Sequence, residues 1–156
     1  MIFILEKDPW NGDLQTFIKT DLGENVLRLE SRSFTFRRKI ILYDRYYVEI
    51  GRIEKPVFKS GSGYQIFYDD RVVGTLKKSW SFFRTKYRLV SEKKVSFLFK
   101  GKIKDYEFTI VRKGKTVAKV SKEYGMNDAQ YGLETKDDLH KFIFLCAAVI
   151  LSKEVS

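Results

Sequence analysis

Short runs in which apolar and polar residues alternate, separated by turn-forming residues, fill most of this chain. Tyr106, Phe108 and Ile110 alternate with Glu107 and Thr109, the period of a half-buried strand. Four-residue segments of similar character recur: Val26-Leu27-Arg28-Leu29, Ile50-Gly51-Arg52-Ile53, Val73-Gly74-Thr75-Leu76, Val95-Ser96-Phe97-Leu98 and Val117-Ala118-Lys119-Val120. Their first residues are 24, 23, 22 and 22 positions apart, which marks a structural repeat. A second β-rich segment precedes each one: Leu14 to Ile18, Ile40 to Tyr43, Tyr64 to Tyr68, Tyr87 to Val90, and Tyr106 to Ile110.

The intervening residues suit hairpins. Asp21-Leu22-Gly23, Asp69-Asp70 and Lys113-Gly114-Lys115 carry side chains that tolerate turn dihedrals or bond their own backbone. Five hairpins give ten strands, Ile2 to Leu5 and Gln130 to Glu134 add two more, and Ser33 to Phe36 is a candidate short extra. An isolated hairpin is marginal, and closing the series removes exposed edges. The expectation is a mainly β, roughly twelve-stranded antiparallel closed barrel, with two packed sheets as the alternative.

The pattern changes near the C-terminus. Phe142 to Leu151 contains no polar side chain apart from the thiol of Cys146, and a helix over about 137–152 would be apolar all round. Thr135 is placed to cap it, with Asp138 three residues on, and Asp137 and Asp138 suit the positive end of its dipole. Leu139, Phe142, Ile143, Cys146, Ala147 and Ile150 would share one face, and Phe144, Leu145, Ala148 and Val149 the other. The run is short of the ~20 residues needed to span a bilayer, so it is assigned to the interior of the barrel rather than to a membrane. The whole chain, 1–156, reads as one domain of ordinary size.

These features resemble the tubby C-terminal-like superfamily, nearest to its LURP-one-related, scramblase-like group. The resemblance rests on Tyr64-Gln65-Ile66-Phe67-Tyr68-Asp69-Asp70 followed by Val73-Gly74-Thr75-Leu76-Lys77-Lys78. It extends over Tyr106 to Val111, Val117-Ala118-Lys119-Val120-Ser121-Lys122, and the tyrosine-containing strand before the closing helix. It implies a barrel wrapped on a hydrophobic helix and binding of phosphoinositide-like headgroups. A proline-rich arm, a cysteine cluster for acylation and an acidic calcium loop are missing from the sequence, so calcium-activated scrambling is not carried over.

Composition narrows the chemistry. With 44% hydrophobic residues and two prolines, the chain is not a disordered one. Four apolar residues at the start, Ile2 to Leu5, are too few for a secretory signal, and the lone Cys146 suits a reducing, cytoplasmic setting as inert packing. One histidine, His140, and one cysteine are too few for a zinc site or a Cys-His nucleophile, and no cofactor is implied. Asp69-Asp70 and Asp137-Asp138 read as a turn and a helix start rather than catalytic pairs. Lys59-Ser60-Gly61-Ser62-Gly63 reads as a loop, because a phosphate loop needs a following Gly-Lys-Ser/Thr and a helix. The chain is therefore expected to be non-enzymatic.

Charge is the remaining signal. The net +10 is concentrated between Lys77 and Lys104, where ten cations face only Glu92. Lys77, Lys78, Trp80, Arg84, Lys86, Arg88, Lys93, Lys100 and Lys102 are the candidate contacts to an anionic, peripheral membrane surface. Phe82 and Phe83 stand beside them, and aromatic side chains settle at bilayer interfaces. Three to five engaged cations contribute on the order of 3–5 kcal/mol, enough for salt-sensitive binding. Two other partners stay open: single-stranded nucleic acid on the same face, and a protein that uses an apolar patch or strand edge.

Overall fold

Alternation and turn chemistry produce twelve strands. The first six are β1 (Ile2–Glu6), β2 (Gln15–Thr20), β3 (Asn25–Phe34), β4 (Arg37–Tyr43), β5 (Glu49–Glu54) and β6 (Gly63–Tyr68). The rest are β7 (Arg71–Ser81), β8 (Arg84–Ser91), β9 (Ser96–Lys102), β10 (Glu107–Arg112), β11 (Lys115–Ser121) and β12 (Gln130–Thr135). Helix α1 (Lys141–Val155) follows them. The computed structural model describes residues 1–10, 15–34, 37–55, 63–81 and 84–155. Leu14, the end of the Ser33–Phe36 segment, most of the Lys59–Gly63 loop, Phe82 and Phe83 lie outside the described residues, as do the side chains of Trp80 and Arg84. Ser33 and Phe34 extend β3 and do not form a separate strand.

Each strand pairs antiparallel with its neighbour in sequence, and β1 pairs with β12 from Ile2↔Glu134 to Glu6↔Gln130 to close the barrel. The closed barrel replaces the two-sheet alternative. Three hairpins share one loop geometry, in which the N–H groups of Gly23, Tyr47 and Lys94 donate to the carbonyls of Thr20, Asp44 and Ser91 at 2.9–3.0 Å. Those three residues have φ of 87°, 69° and 65°. Only Gly23 adopts the left-handed conformation without steric cost. Asp69-Asp70 and Lys113-Gly114 form two-residue turns with positive φ at both positions, as the right-handed twist of paired strands favours.

The sequence repeat has a structural counterpart. Register shifts leave Val26, Ile50, Val73 and Val117 as extra residues, each on the second strand of its hairpin. An extra residue bends its strand and increases local twist, which curls the sheet toward closure. These four residues and Val95, which follows the β8–β9 turn, are partly buried against the core. The repeat is thus a ring of aliphatic side chains near one mouth of the barrel.

Helix α1 fills the interior. No residue from Ile143 to Ser152 exceeds 5% exposure, and Leu29, Ile40, Leu42, Ile53, Ile66, Leu89, Phe97, Ile110, Val120 and Leu133 surround it from the strands. A helix with its side chains is about 10–12 Å across, a space that an eight-stranded barrel filled by its own side chains does not provide. Gly74 allows the wall to come close: a Cβ there would lie 3.2 Å from Ile143 Cγ2. At the far mouth the indole N–H of Trp10 donates to the Val149 carbonyl at 2.8 Å, and the buried Tyr131 hydroxyl donates to the Ala148 carbonyl at 3.2 Å. Burial pushes the Tyr131 phenol and the Cys146 thiol up, so both stay protonated, and Cys146 is packing.

The helix starts about one turn later than its sequence suggests. Thr135 ends β12 and donates its hydroxyl to the Val117 carbonyl at 2.7 Å, so it is not the cap. Asp137 caps the turn that leads into the helix: its Oδ1 accepts from the N–H groups of Leu139 and His140 at 3.0 and 2.9 Å, and its Oδ2 meets His140 Nδ1 at 2.8 Å. Leu139 therefore precedes the helix, and it is 80% exposed instead of lying on a core face.

Two outcomes follow from these contacts. Gly74→Ala is expected to destabilise the fold by about 1–3 kcal/mol in chemical denaturation, through overpacking. The penalty should shrink in an Ile143→Ala background, because the two sites touch. Burial pushes the Asp137 carboxyl up, but hydrogen bonds from His140 and Leu139 and the nearby His140 charge hold it below the ordinary aspartate value. A lowered folded-state pKa supplies stability above the unfolded value, near 3.8, that is lost as pH falls through the folded one. Asp137→Asn should therefore reduce stability at neutral pH and flatten the further loss between about pH 5 and pH 2, read as the denaturation midpoint.

Candidate cationic groove

Strand alternation sorts the basic side chains. Leu76 on β7 pairs with Leu89 on β8, and both are buried inside the barrel. Successive side chains point to opposite faces. Lys77 and its cross-strand partner Arg88 therefore face outward and are exposed, as is Lys86 opposite Ser79. Lys78 pairs with the core-packed Tyr87 and is half-buried, so it leaves the outer set. For Trp80 and Arg84 only the backbone is described, pairing with Thr85 and Ser81. Lys93 is exposed in the β8–β9 turn, and Lys100 and Lys102 are exposed on β9 opposite Thr109 and Glu107.

Pairing across β8, β9 and β10 aligns Arg88 with Leu98, and Leu98 with Val111. Around this row lies an outer groove of about 550 Å³, lined by Arg88, Lys94, Lys100, Arg112 and Lys113 and floored by Val95, Leu98 and Val111. Five cations and no carboxylate line the groove among the described residues. Among the described residues, the ion pairs found elsewhere on the barrel, such as Arg52–Asp70 at 2.8 Å and Arg71–Glu92 at 2.9 Å, do not reach these five. Lys94 and Lys113 are held at left-handed turn positions, which fixes the backbone that carries them.

Two of the sequence-selected residues, Arg88 and Lys100, line this groove, while Lys77 and Lys86 extend the same outer surface along β7 and β8. Lys93 instead lines a neighbouring crevice, together with His140 and Arg112. Lys94, Arg112 and Lys113 were not among the selected contacts. Lys94 sits within the basic run, but Arg112 and Lys113 lie beyond it and arrive by the pairing of β10 with β9. A hairpin register extended from Lys113-Gly114 was the one sequence signal able to place them.

The groove suits a dense anionic group. Guanidinium and ammonium donors suit phosphate oxygens, and five charges that no ion pair among the described residues reaches favour a multivalent partner. No group of three or more metal-ligating side chains occurs among the described residues. No helix among the described residues is long and apolar enough to cross a membrane.

Comparison with known proteins gives the lineage. Curated proteins yield no match. The fold is shared with a protein from Arabidopsis thaliana known from an X-ray structure, at TM-score 0.66 and 13% identity, over 99% of this chain and 90% of that one. The sequence profile of the LURP-one-related family matches residues 1–152, and the chain belongs to that family.

Proposed function

We propose that this barrel is a non-enzymatic module that binds anionic phospholipid headgroups at a membrane surface through the groove of Arg88, Lys94, Lys100, Arg112 and Lys113. The observation that carries the reading is the convergence of five cations from three strands and two turns with no lining carboxylate. Lys77, Lys86, Lys93 and Lys102 add charge around it and raise the local concentration of anionic lipid. Anionic lipids are concentrated on the cytoplasmic leaflet, so binding there is peripheral and reversible.

The same charge would attract nucleic acid, but single-strand binding draws on base stacking, and among the described residues none that lines the groove is aromatic. A partner that adds a strand is less favoured, because each strand of the closed barrel already pairs with two neighbours, although β8 meets β9 only from Arg88 to Val90.

Flotation with anionic vesicles at low salt should show binding that weakens at physiological salt and is absent with neutral vesicles. Lys100→Glu and Lys113→Glu each replace attraction by repulsion, a change of about 2 kcal/mol or roughly thirtyfold in affinity. Lys19→Glu, an exposed change on β2, should have little effect. Absence of binding to anionic vesicles at low salt, or full binding by the Lys100→Glu/Lys113→Glu double variant, would overturn the reading.

A further inference from the structure

Next to the groove, at the mouth where α1 begins, lies a crevice of about 440 Å³. Its walls are Tyr68, Val73, Val95, Leu139, Phe142 and Ile143. Its size falls within the ~300–1,000 Å³ of small-molecule sites, and its mainly apolar lining is of the kind that holds hydrocarbon. Two of the lining side chains are left open to solvent: Leu139 is 80% and Tyr68 42% exposed. Apolar surface of this kind, beside cations, is a marker of ligand or lipid contact.

The crevice and the groove adjoin, since Val95 and Arg112 line both. An apolar slot therefore lies against a cationic one, with Arg112 shared between them and Lys93 also lining the crevice. Glu92, a carboxylate that lines the crevice, pairs with Arg71 at 2.9 Å, and Asp137 meets the ring of the lining His140 at 2.8 Å. Charge complementarity selects a ligand with one anionic end and one hydrocarbon end.

We infer that the crevice holds the acyl chain of a single-chain phospholipid whose phosphate sits at Arg112 in the groove. A lysophosphatidate has this form. The inference rests on the headgroup reading for the phosphate but on the crevice alone for the chain. Val73, one of the extra residues, and Val95 form part of the crevice wall, so the bulge that bends β7 also shapes the slot.

Calorimetric titration with monomeric lysophosphatidates of increasing chain length, beside glycerol 3-phosphate as the chainless head, tests it. Affinity should rise about fourfold with each methylene buried, and then level off once the crevice is full. Leu139→Glu changes an exposed residue, so folding should be preserved; it should weaken the long-chain ligands and leave glycerol 3-phosphate unchanged. Val73→Phe, checked for folding by circular dichroism, should move the plateau to shorter chains. Lys113→Glu should weaken all members equally and preserve the increment per methylene. Equal affinity for glycerol 3-phosphate and every lysophosphatidate would overturn the inference and leave the headgroup reading standing. Chain-dependent binding that ignores Lys113→Glu, with no binding of glycerol 3-phosphate, would overturn the headgroup reading and leave the crevice as a chain site. A chain-length rise that ignores both Leu139→Glu and Val73→Phe would also overturn the inference, because the chain would then lie elsewhere.

Discussion

A helix with no polar face can lie only where other chain surrounds it, and the architecture follows from that constraint. Ile143 to Ser152 need a sheath on every side, and the twelve strands supply one whose inner row is equally apolar. Six large aliphatic or aromatic side chains of the helix, Ile143, Phe144, Leu145, Val149, Ile150 and Leu151, are buried. At ~1.5–3 kcal/mol each, their transfer is worth roughly 9–18 kcal/mol before entropy, as large as the net stability of a typical domain. The barrel and its core are therefore one cooperative unit. Closure through Ile2↔Glu134 joins nearly the whole length of the chain, so the fold depends on contacts between distant residues.

Much of this was legible because barrel strands alternate and turns have chemical signatures. The spacing of Val26, Ile50, Val73, Val95 and Val117 disclosed a repeat, although not its meaning. An extra residue in a strand does not disturb hydrophobicity enough to be read as a bulge; it shows only in the register. The positive φ of Tyr47 and Lys94 was likewise invisible, since neither residue advertises a left-handed turn as Gly23 does. The helix start was misplaced because Thr135 has the residue type of a cap but ends β12, its hydroxyl donating to the Val117 carbonyl and accepting from the Asp137 N–H ahead of the helix.

The candidate site was legible in part, for a geometric reason. Charge counted along the chain finds clusters in one dimension, whereas a barrel folds its surface across strands. That count included Lys78, which alternation turns toward the interior, and passed over Arg112 and Lys113, which pairing brings beside Lys100 and Arg88. Outer position and pairing register, more than local density, decide which cations share a surface. The family assignment agrees with the resemblance seen in the strands and closing helix, and the groove is a feature of these particular side chains on that scaffold.

The order of the elements has a consequence for how the protein is made. The core follows all twelve strands in the chain, so synthesis delivers the wrapper before its contents. Until α1 is released, the nascent strands carry an apolar lining with nothing to cover, the condition in which chains associate wrongly. A premature stop ahead of α1 would leave a hollow sheet instead of a slightly shortened protein. Quality control by chaperones would thus bear most heavily on the interval between the emergence of β12 and that of α1.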